Sequence, residues 1–379
     1  MRWRPFPFLY AGAFAAVLLA ASCAREVVWP PASEEDQKDK LYVAALSEGG
    51  AEVVAVGPGG VEKLGLRCDD DGEVALSPDG RRLYYGRDNA LHEYEPATGA
   101  DRVVASFPGG VAREAGADEE GGAKIFAWRC GCRFRDLAFA PDGRVAFLVE
   151  PTECPLADEE AAEAGAELRP RTDFALDAGA YVAEAGREPR YLGAARAVYG
   201  FLGDDALLLE HKLTVARYEF DGGAVTPLLP PETHELGWLP PAAVAGERVV
   251  VVAPRAVEKS QRDVLNRVFV VEGGRGRDEP LLEIRGRAPA TRAALSADGR
   301  YLAVELTPQV FGEPTVYVVG LEGKNYKVLA TAGRLAAFGR GGRAVFYVVG
   351  RGRAGDLVLA GLDGEARRLT SEGQILPPP

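Results

Sequence analysis

One phrase recurs along this chain: a short apolar run, a tight turn, and a second apolar run. It reads Val74-Ala75-Leu76-Ser77-Pro78-Asp79-Gly80-Arg81-Arg82-Leu83-Tyr84-Tyr85. It returns at 137–148 around Ala140-Pro141-Asp142-Gly143, and at 293–304 around Ser296-Ala297-Asp298-Gly299. Weaker copies lie at 199–209, 242–252 and 335–349. Pro presets the first turn dihedral, Asp accepts a backbone hydrogen bond, and Gly takes the positive φ. The flanks are rich in Val, Leu, Tyr and Phe, so each phrase predicts a β-hairpin. Most copies are followed by a second short turn, as at Thr98-Gly99, Ala185-Gly186, Asp221-Gly222-Gly223, Glu322-Gly323 and Asp363-Gly364.

Four strands per unit, recurring at spacings of roughly 36 to 65 residues, is the unit of a propeller blade. The predicted fold is therefore all-β, a β-propeller of four-stranded blades. Units start near Glu73, Arg135, Val198, Ala242, Ala293 and Leu335. Before them, 41–46, 52–56 and 61–66 read as three more strands, and 374–376 supplies a fourth from the far end. Strands drawn from both termini close the ring and remove an exposed edge. That closure predicts seven blades, with six as the alternative.

The Ser77-Pro78-Asp79-Gly80-Arg81 phrase resembles the WD40-like repeats of TolB-type propellers of the bacterial cell envelope. The resemblance runs from about residue 70 to about residue 370. It implies the architecture and an exported location. It implies no single activity, because the same repeat occurs in envelope proteins, in peptidase propeller domains and in lipoproteins.

The N-terminus agrees with export. Arg2 and Arg4 form a short basic region, 6–21 is mostly apolar, and Ala20-Ala21-Ser22 precede Cys23. This is the pattern of a signal peptide, too short for a comfortable membrane span. Leu19-Ala20-Ala21-Ser22-Cys23 resembles a bacterial lipobox, with Ala20 where Leu is usual. The resemblance implies lipid on Cys23, and Ala24 rather than Asp after it implies the outer membrane. The expected organisation is a signal peptide over 1–22, an acidic tether over 23–39 and the propeller over 40–379. The membrane would be touched through the lipid alone.

A net charge of −12 argues against nucleic acid as a partner. His92, His211 and His234 are the only histidines, and no two sit at metal-ligand spacing. There is no Gly-x-Ser-x-Gly elbow, and no phosphate-loop lysine follows the Gly-rich runs. No catalytic residue, metal site or cofactor is expected.

In a propeller, the first-to-second and third-to-fourth strand turns share one face. The remaining loops and the blade crossovers share the other. Here the first set is short throughout, and the long insertions all fall in the second: 108–134, 151–178, 230–241, 254–266 and 307–314. Such loops commonly carry function. Cys68, Cys130, Cys132 and Cys154 map to this loop face as well. Export favours disulfides, and four cysteines allow three pairings. Cys130 and Cys132 are too close in sequence for an unstrained bridge, so each is expected to pair outward, one to Cys154 and one to Cys68. The rival is a four-thiolate zinc site, which lacks the usual spacing.

A charged residue also ends the second strand of each unit: Arg87, Glu150, Glu210, Arg255, Glu305 and Arg351. These are expected to ring the channel mouth. Trp128, Trp238 and Arg135 complete the candidate binding face, being of the types enriched where partners bind most tightly. The expected role is binding or scaffolding, with an envelope protein or glycan as partner. The alternative is an enzyme or solute-processing protein with its site at the channel mouth.

Overall fold

The computed structural model describes residues 29–48, 50–69, 73–107, 110–117, 123–152, 178–184, 186–230, 238–257, 263–272, 275–276, 279–308, 312–350 and 353–377. For 110–117, 123–130, 151, 275 and 276 it describes the backbone alone.

Strands form where the apolar runs predict them, and they build seven antiparallel sheets, the seven blades. The first blade holds β1 (Leu41–Ser47), β2 (Gly50–Gly57) and β3 (Gly60–Cys68). The second holds β4 (Val74–Leu76), β5 (Leu83–Arg87), β6 (Ala90–Glu95) and β7 (Ala100–Ser106). A separate hairpin follows, β8 (Gly110–Ala117) with β9 (Ala123–Cys130). The third blade is β10 (Cys132–Phe139), β11 (Val145–Pro151), β12 (Gly179–Ala183) and β13 (Arg190–Gly193). The fourth is β14 (Val198–Leu202), β15 (Ala206–His211), β16 (Thr214–Glu219) and β17 (Val225–Pro227). In the fifth, β18 (Ala242–Ala245), β19 (Arg248–Ala256) and β20 (Val264–Glu272) are edged by β21 (Arg275–Gly276) and β22 (Leu282–Gly286), which both pair with β20. The sixth is β23 (Ala290–Leu295), β24 (Tyr301–Leu306), β25 (Thr315–Gly320) and β26 (Asn325–Thr331). The seventh is β27 (Gly333–Phe338), β28 (Ala344–Val349), β29 (Asp356–Gly361) and β30 (Ala366–Arg368).

The first-strand turns behave as their residues dictate. In Ser77–Arg82 the Asp79 carboxylate accepts from Arg81 N–H at 3.0 Å and from the Ser77 hydroxyl at 2.5 Å, while Gly80 sits at φ 70. The copy at Ser296 repeats these bonds at 3.1 and 2.6 Å.

Blades cohere through their flat faces. Seven clusters of buried apolar residues lie one at each junction between neighbouring blades. The ring closes through the C-terminal segment. Leu376 N–H donates to Ala44 O, and Leu46 N–H donates to Gln374 O, both at 2.9 Å, so 374–376 is the missing inner strand of the first blade. Ile375 is buried against the seventh blade and Leu376 against the second, the alternation of a strand with two covered faces. Burying the pair contributes about 3–6 kcal/mol, which only the closed ring collects.

The segment expected to be a tether is, in its second half, part of the folded domain. Trp29 packs on Tyr301 and beneath the Lys327 ammonium. The short helix α1 (Glu34–Lys38) is fixed by a Ser33–Asp36 capping box. The reason is local to the seventh blade. Its first turn, Gly339–Arg343, has neither the Ser nor the Asp of the other copies. Asp36 and Asp39 supply acceptors from outside, taking Arg343 N–H at 3.3 Å and Arg340 N–H at 2.8 Å. A Cβ on Gly339 would collide with Asp36, and one on Gly341 with Ser33, so the glycines admit the strap.

Two other expectations change. The insertion over 108–134 is largely the β8–β9 hairpin, and β10 already begins at Cys132. The insertion over 254–266 shrinks, because β19 and β20 stay paired out to Ala256 and Val264. The described cysteines, Cys68 and Cys132, are buried and neither is in a disulfide. They lie in the apolar clusters of different blade junctions, Cys68 between the first and second blades and Cys132 between the second and third. The Cys130 side chain, Cys154 and Cys23 lie outside the described residues. No helix among the described residues is long and apolar enough to cross a membrane.

Candidate binding site at the channel mouth

The innermost strands run from the loop face to the turn face. Their first residues therefore surround the loop-face end of the central channel. A cavity of ≈ 520 Å³ opens there, lined from five blades by Glu73, Arg135, Asp136, Arg196, Tyr199, Trp238 and Arg292, with prolines and small residues between them. A second cavity of ≈ 390 Å³ enters from the turn face, and the two share Glu73, Leu137 and Arg292 at mid-channel.

Bulges place these groups. β10 shifts register between Arg135 and Ala138, and Asp136 adopts φ 53. The bulge turns N–H groups away from the ladder, and the preceding blade answers them. Leu137 N–H donates to Glu73 Oε2 at 3.1 Å, and Val198 N–H donates to Asp136 Oδ2 at 3.1 Å. Burial pushes the Glu73 carboxyl up to about 7; Asp136 adds to the shift, and Arg292 opposes it. Asp136 is also raised, again chiefly by burial. Tyr199 is held neutral by burial and by the Asp136 and Glu210 carboxylates, and its hydroxyl donates to Pro240 O at 2.9 Å.

Of the residues singled out from sequence, Arg135 and Trp238 line the cavity. The described members of the expected ring of second-strand charges do not, because the first strand of each blade stands between them and the axis. Glu150 reaches the lining only through Arg135, its carboxylate 3.1 Å from that guanidinium and 2.7 Å from that of Arg133. Burial pushes the Glu150 carboxyl up, but the two guanidinium groups beside it, Arg135 and Arg133, and the hydrogen bonds they donate hold it below the usual range. Glu210 is buried and accepts from Arg196 N–H at 2.9 Å. Glu305 is buried, accepting from Leu335 N–H at 2.6 Å and from the Thr307 hydroxyl at 2.6 Å. Arg87 lies outward in the second blade, 3.1 Å from His92 Nδ1 and 3.3 Å from Asp101. Arg255 is exposed at the end of β19. The Trp128 side chain and Arg351 lie outside the described residues.

Sequence reasoning missed Glu73, Asp136, Arg196, Tyr199 and Arg292. A signal for them existed: each sits at or just before the first apolar run of its unit, the position that opens onto the channel.

The fold and the site together define a seven-bladed β-propeller with a charged, aromatic-walled cavity at the loop-face mouth of its channel. No family model matches the sequence, and no curated protein matches it. Among solved structures, the chain is similar to an oligogalacturonate lyase in complex with manganese, at 14% identity and TM-score 0.56, covering 86% of each chain. It is similar to oligogalacturonate lyase from Vibrio parahaemolyticus at 13% identity and TM-score 0.54, covering 88% of this chain and 89% of that one. It is also similar to TolB from Acinetobacter baumannii, at 14% identity and TM-score 0.47. That match covers 90% of this chain and 66% of TolB, so this chain spans less than two thirds of that protein. At such identities the likeness is one of fold. The described residues hold no group of three or more His, Cys, Asp or Glu side chains suited to a metal ion such as manganese.

Proposed function

We propose that this chain is a lipid-anchored protein of the bacterial envelope that binds a partner, an envelope protein or glycan, through its loop face. The observation that carries the reading is the channel-mouth cavity, which opens on that face and gathers Trp238 and Arg135 beside Arg196 and Arg292. Aromatic and arginine side chains around a concavity are the usual anchors of recognition.

The strap supports an orientation. Residues 29–39 pack on the turn face, so a lipid on Cys23 leaves from that side and the loop face points away from the bilayer. Cys23→Ser should move the protein from the membrane fraction to the soluble envelope, and unchanged fractionation would refute the anchor. Crosslinking from membranes tests the binding face. Trp238→Ala and Arg196→Ala should lose the partner, whereas the exposed turn-face variants Arg81→Ala and Asp221→Ala should keep it. Loss in the turn-face pair alone would invert the orientation.

Glu73 favours a second reading, an enzyme with its site in the same cavity, since a carboxyl held near neutrality suits proton transfer. Turnover abolished by Glu73→Gln with ligand binding retained would establish it.

A further inference from the structure

The make-up of the cavity narrows the ligand, on the reading that the loop face is the binding face. Arg135 of the third blade, Arg196 of the fourth and Arg292 of the sixth bring three guanidinium groups to the lining of this cavity, in a chain whose net charge is −12. Arg135 is matched by Glu150 at 3.1 Å. Arg196 is exposed and forms no ion pair among the described residues. The two carboxylates in the cavity are committed to the backbone of the next blade, Glu73 to Leu137 N–H and Asp136 to Val198 N–H. Burial favours the uncharged form of both. Arg196 thus offers its charge to the recess, with Arg292 on the same lining.

Trp238 stands on the fifth blade, between the blades that carry Arg196 and Arg292, with Pro241 and Pro289 beside it. An aromatic wall next to cations takes a flat or ring-shaped body with an acidic substituent. The volume of ≈ 520 Å³ is that of a small-molecule site. A phosphate monoester brings a charge of about −2 at pH 7 and would set it against Glu73 and Asp136 on the same lining. A carboxylate brings one.

We propose that the channel mouth binds a small ring-bearing carboxylate, its acid group held by Arg196 and Arg292 and its ring laid on Trp238. The shared chemistry has two sources, a sugar acid or an aromatic acid, and the probes separate them. Calorimetric titration of the purified full chain uses D-glucuronate and benzoate, with D-glucose as the neutral ring and acetate as the ringless acid. One of the two ring acids should bind with Kd of about 1 mM or tighter, and glucose and acetate at least about tenfold more weakly. Arg196→Gln and Trp238→Ala should each weaken that binding by about tenfold or more, with unchanged melting temperatures. Arg196→Lys, which keeps the charge but not the fork, should lose less than Arg196→Gln.

Absence of binding by both ring acids, equal binding of glucose, or full affinity in both variants overturns the proposal. If the ring acids fail while Trp238→Ala still abolishes partner crosslinking, the ligand class is wrong and the binding face stands. If they bind while no loop-face variant alters crosslinking, the site is real and the partner lies elsewhere.

Discussion

Glu305 and Leu335 are joined across the boundary between the sixth and seventh blades: the Leu335 N–H donates to Glu305 Oε2 at 2.6 Å. The other carboxylate oxygen accepts from the hydroxyls of Thr307 at 2.6 Å and Thr291 at 3.4 Å. The same device recurs at Glu73 with Leu137, Asp136 with Val198 and Asn266 with Ala290. Each time, a side-chain acceptor of one blade takes an N–H from the first strand of the next, so the apolar junctions are pinned in register at the loop-face end.

Glu305→Ala strands a buried N–H and two hydroxyls, so it should cost about 2–3 kcal/mol of stability. Glu305→Gln keeps an acceptor and should cost less than half of that. Urea unfolding checks both, with the midpoint moving and the slope unchanged if the ring still unfolds as one unit.

The strap should be separable from the ring. Asp36→Ala removes the acceptor of Ser33 N–H and Arg343 N–H and should cost about 1–2 kcal/mol. Gly341→Ala should dislodge the strap by collision with Ser33. In both variants trypsin should cut after Lys38 and Lys40 much faster than in the parent chain, while the blades remain protected.

Glu73 makes stability depend on pH in a stated direction. Its ordinary value is 4.5 and burial raises it to about 7 in the folded protein. Between those values the folded state holds the proton more tightly than the unfolded chain. This contribution is therefore greatest below pH 4.5 and declines as pH rises to 7, by up to about 1.4 kcal/mol per pH unit. Glu73→Gln cannot titrate, so the difference in stability between it and the parent should shift in its favour across that window. A constant difference from pH 4.5 to 7 would show that Glu73 is ionised throughout.

Burial in the junction between the second and third blades pushes the Cys132 thiol up to about 12, with Asp69 adding to the shift. The thiolate is the reactive form, so Cys132 should resist iodoacetamide in the native protein at pH 8 and react on unfolding. Peptide mapping without reductant reads the outcome. Recovery of Cys132 in a bridge to Cys68 or Cys154 would show that the protein oxidises a site that the fold holds as a thiol.

The strand phrases, their turns and the blade starts were legible because they are local. Ser77, Asp79 and Gly80 satisfy one another within a few residues, and Ile375 and Leu376 show the alternation of a strand covered on both faces. The count of seven blades was legible once both chain ends were read as strands of one sheet, the first blade. The docking of Asp36 was not. Its partners, Gly339 to Arg343, lie some 300 residues away, and only a turn that lacks its own acid creates the vacancy it fills.

The channel mouth was legible only in its ingredients. The periodic pattern marks Glu150, Glu210 and Glu305 as charges at the ends of strands, and it cannot say that the first strand of each blade screens them from the axis. Glu73, Asp136, Arg196 and Arg292 come from four blades separated by dozens to hundreds of residues, and they share a cavity only because the ring closes. Charge and burial, and with them the proton held at Glu73, are properties of that shared space. Residue order determines which side chains end a strand, whereas the closed tertiary ring decides which of them face one another, because a carboxyl's affinity for its proton is set by the groups around it in space.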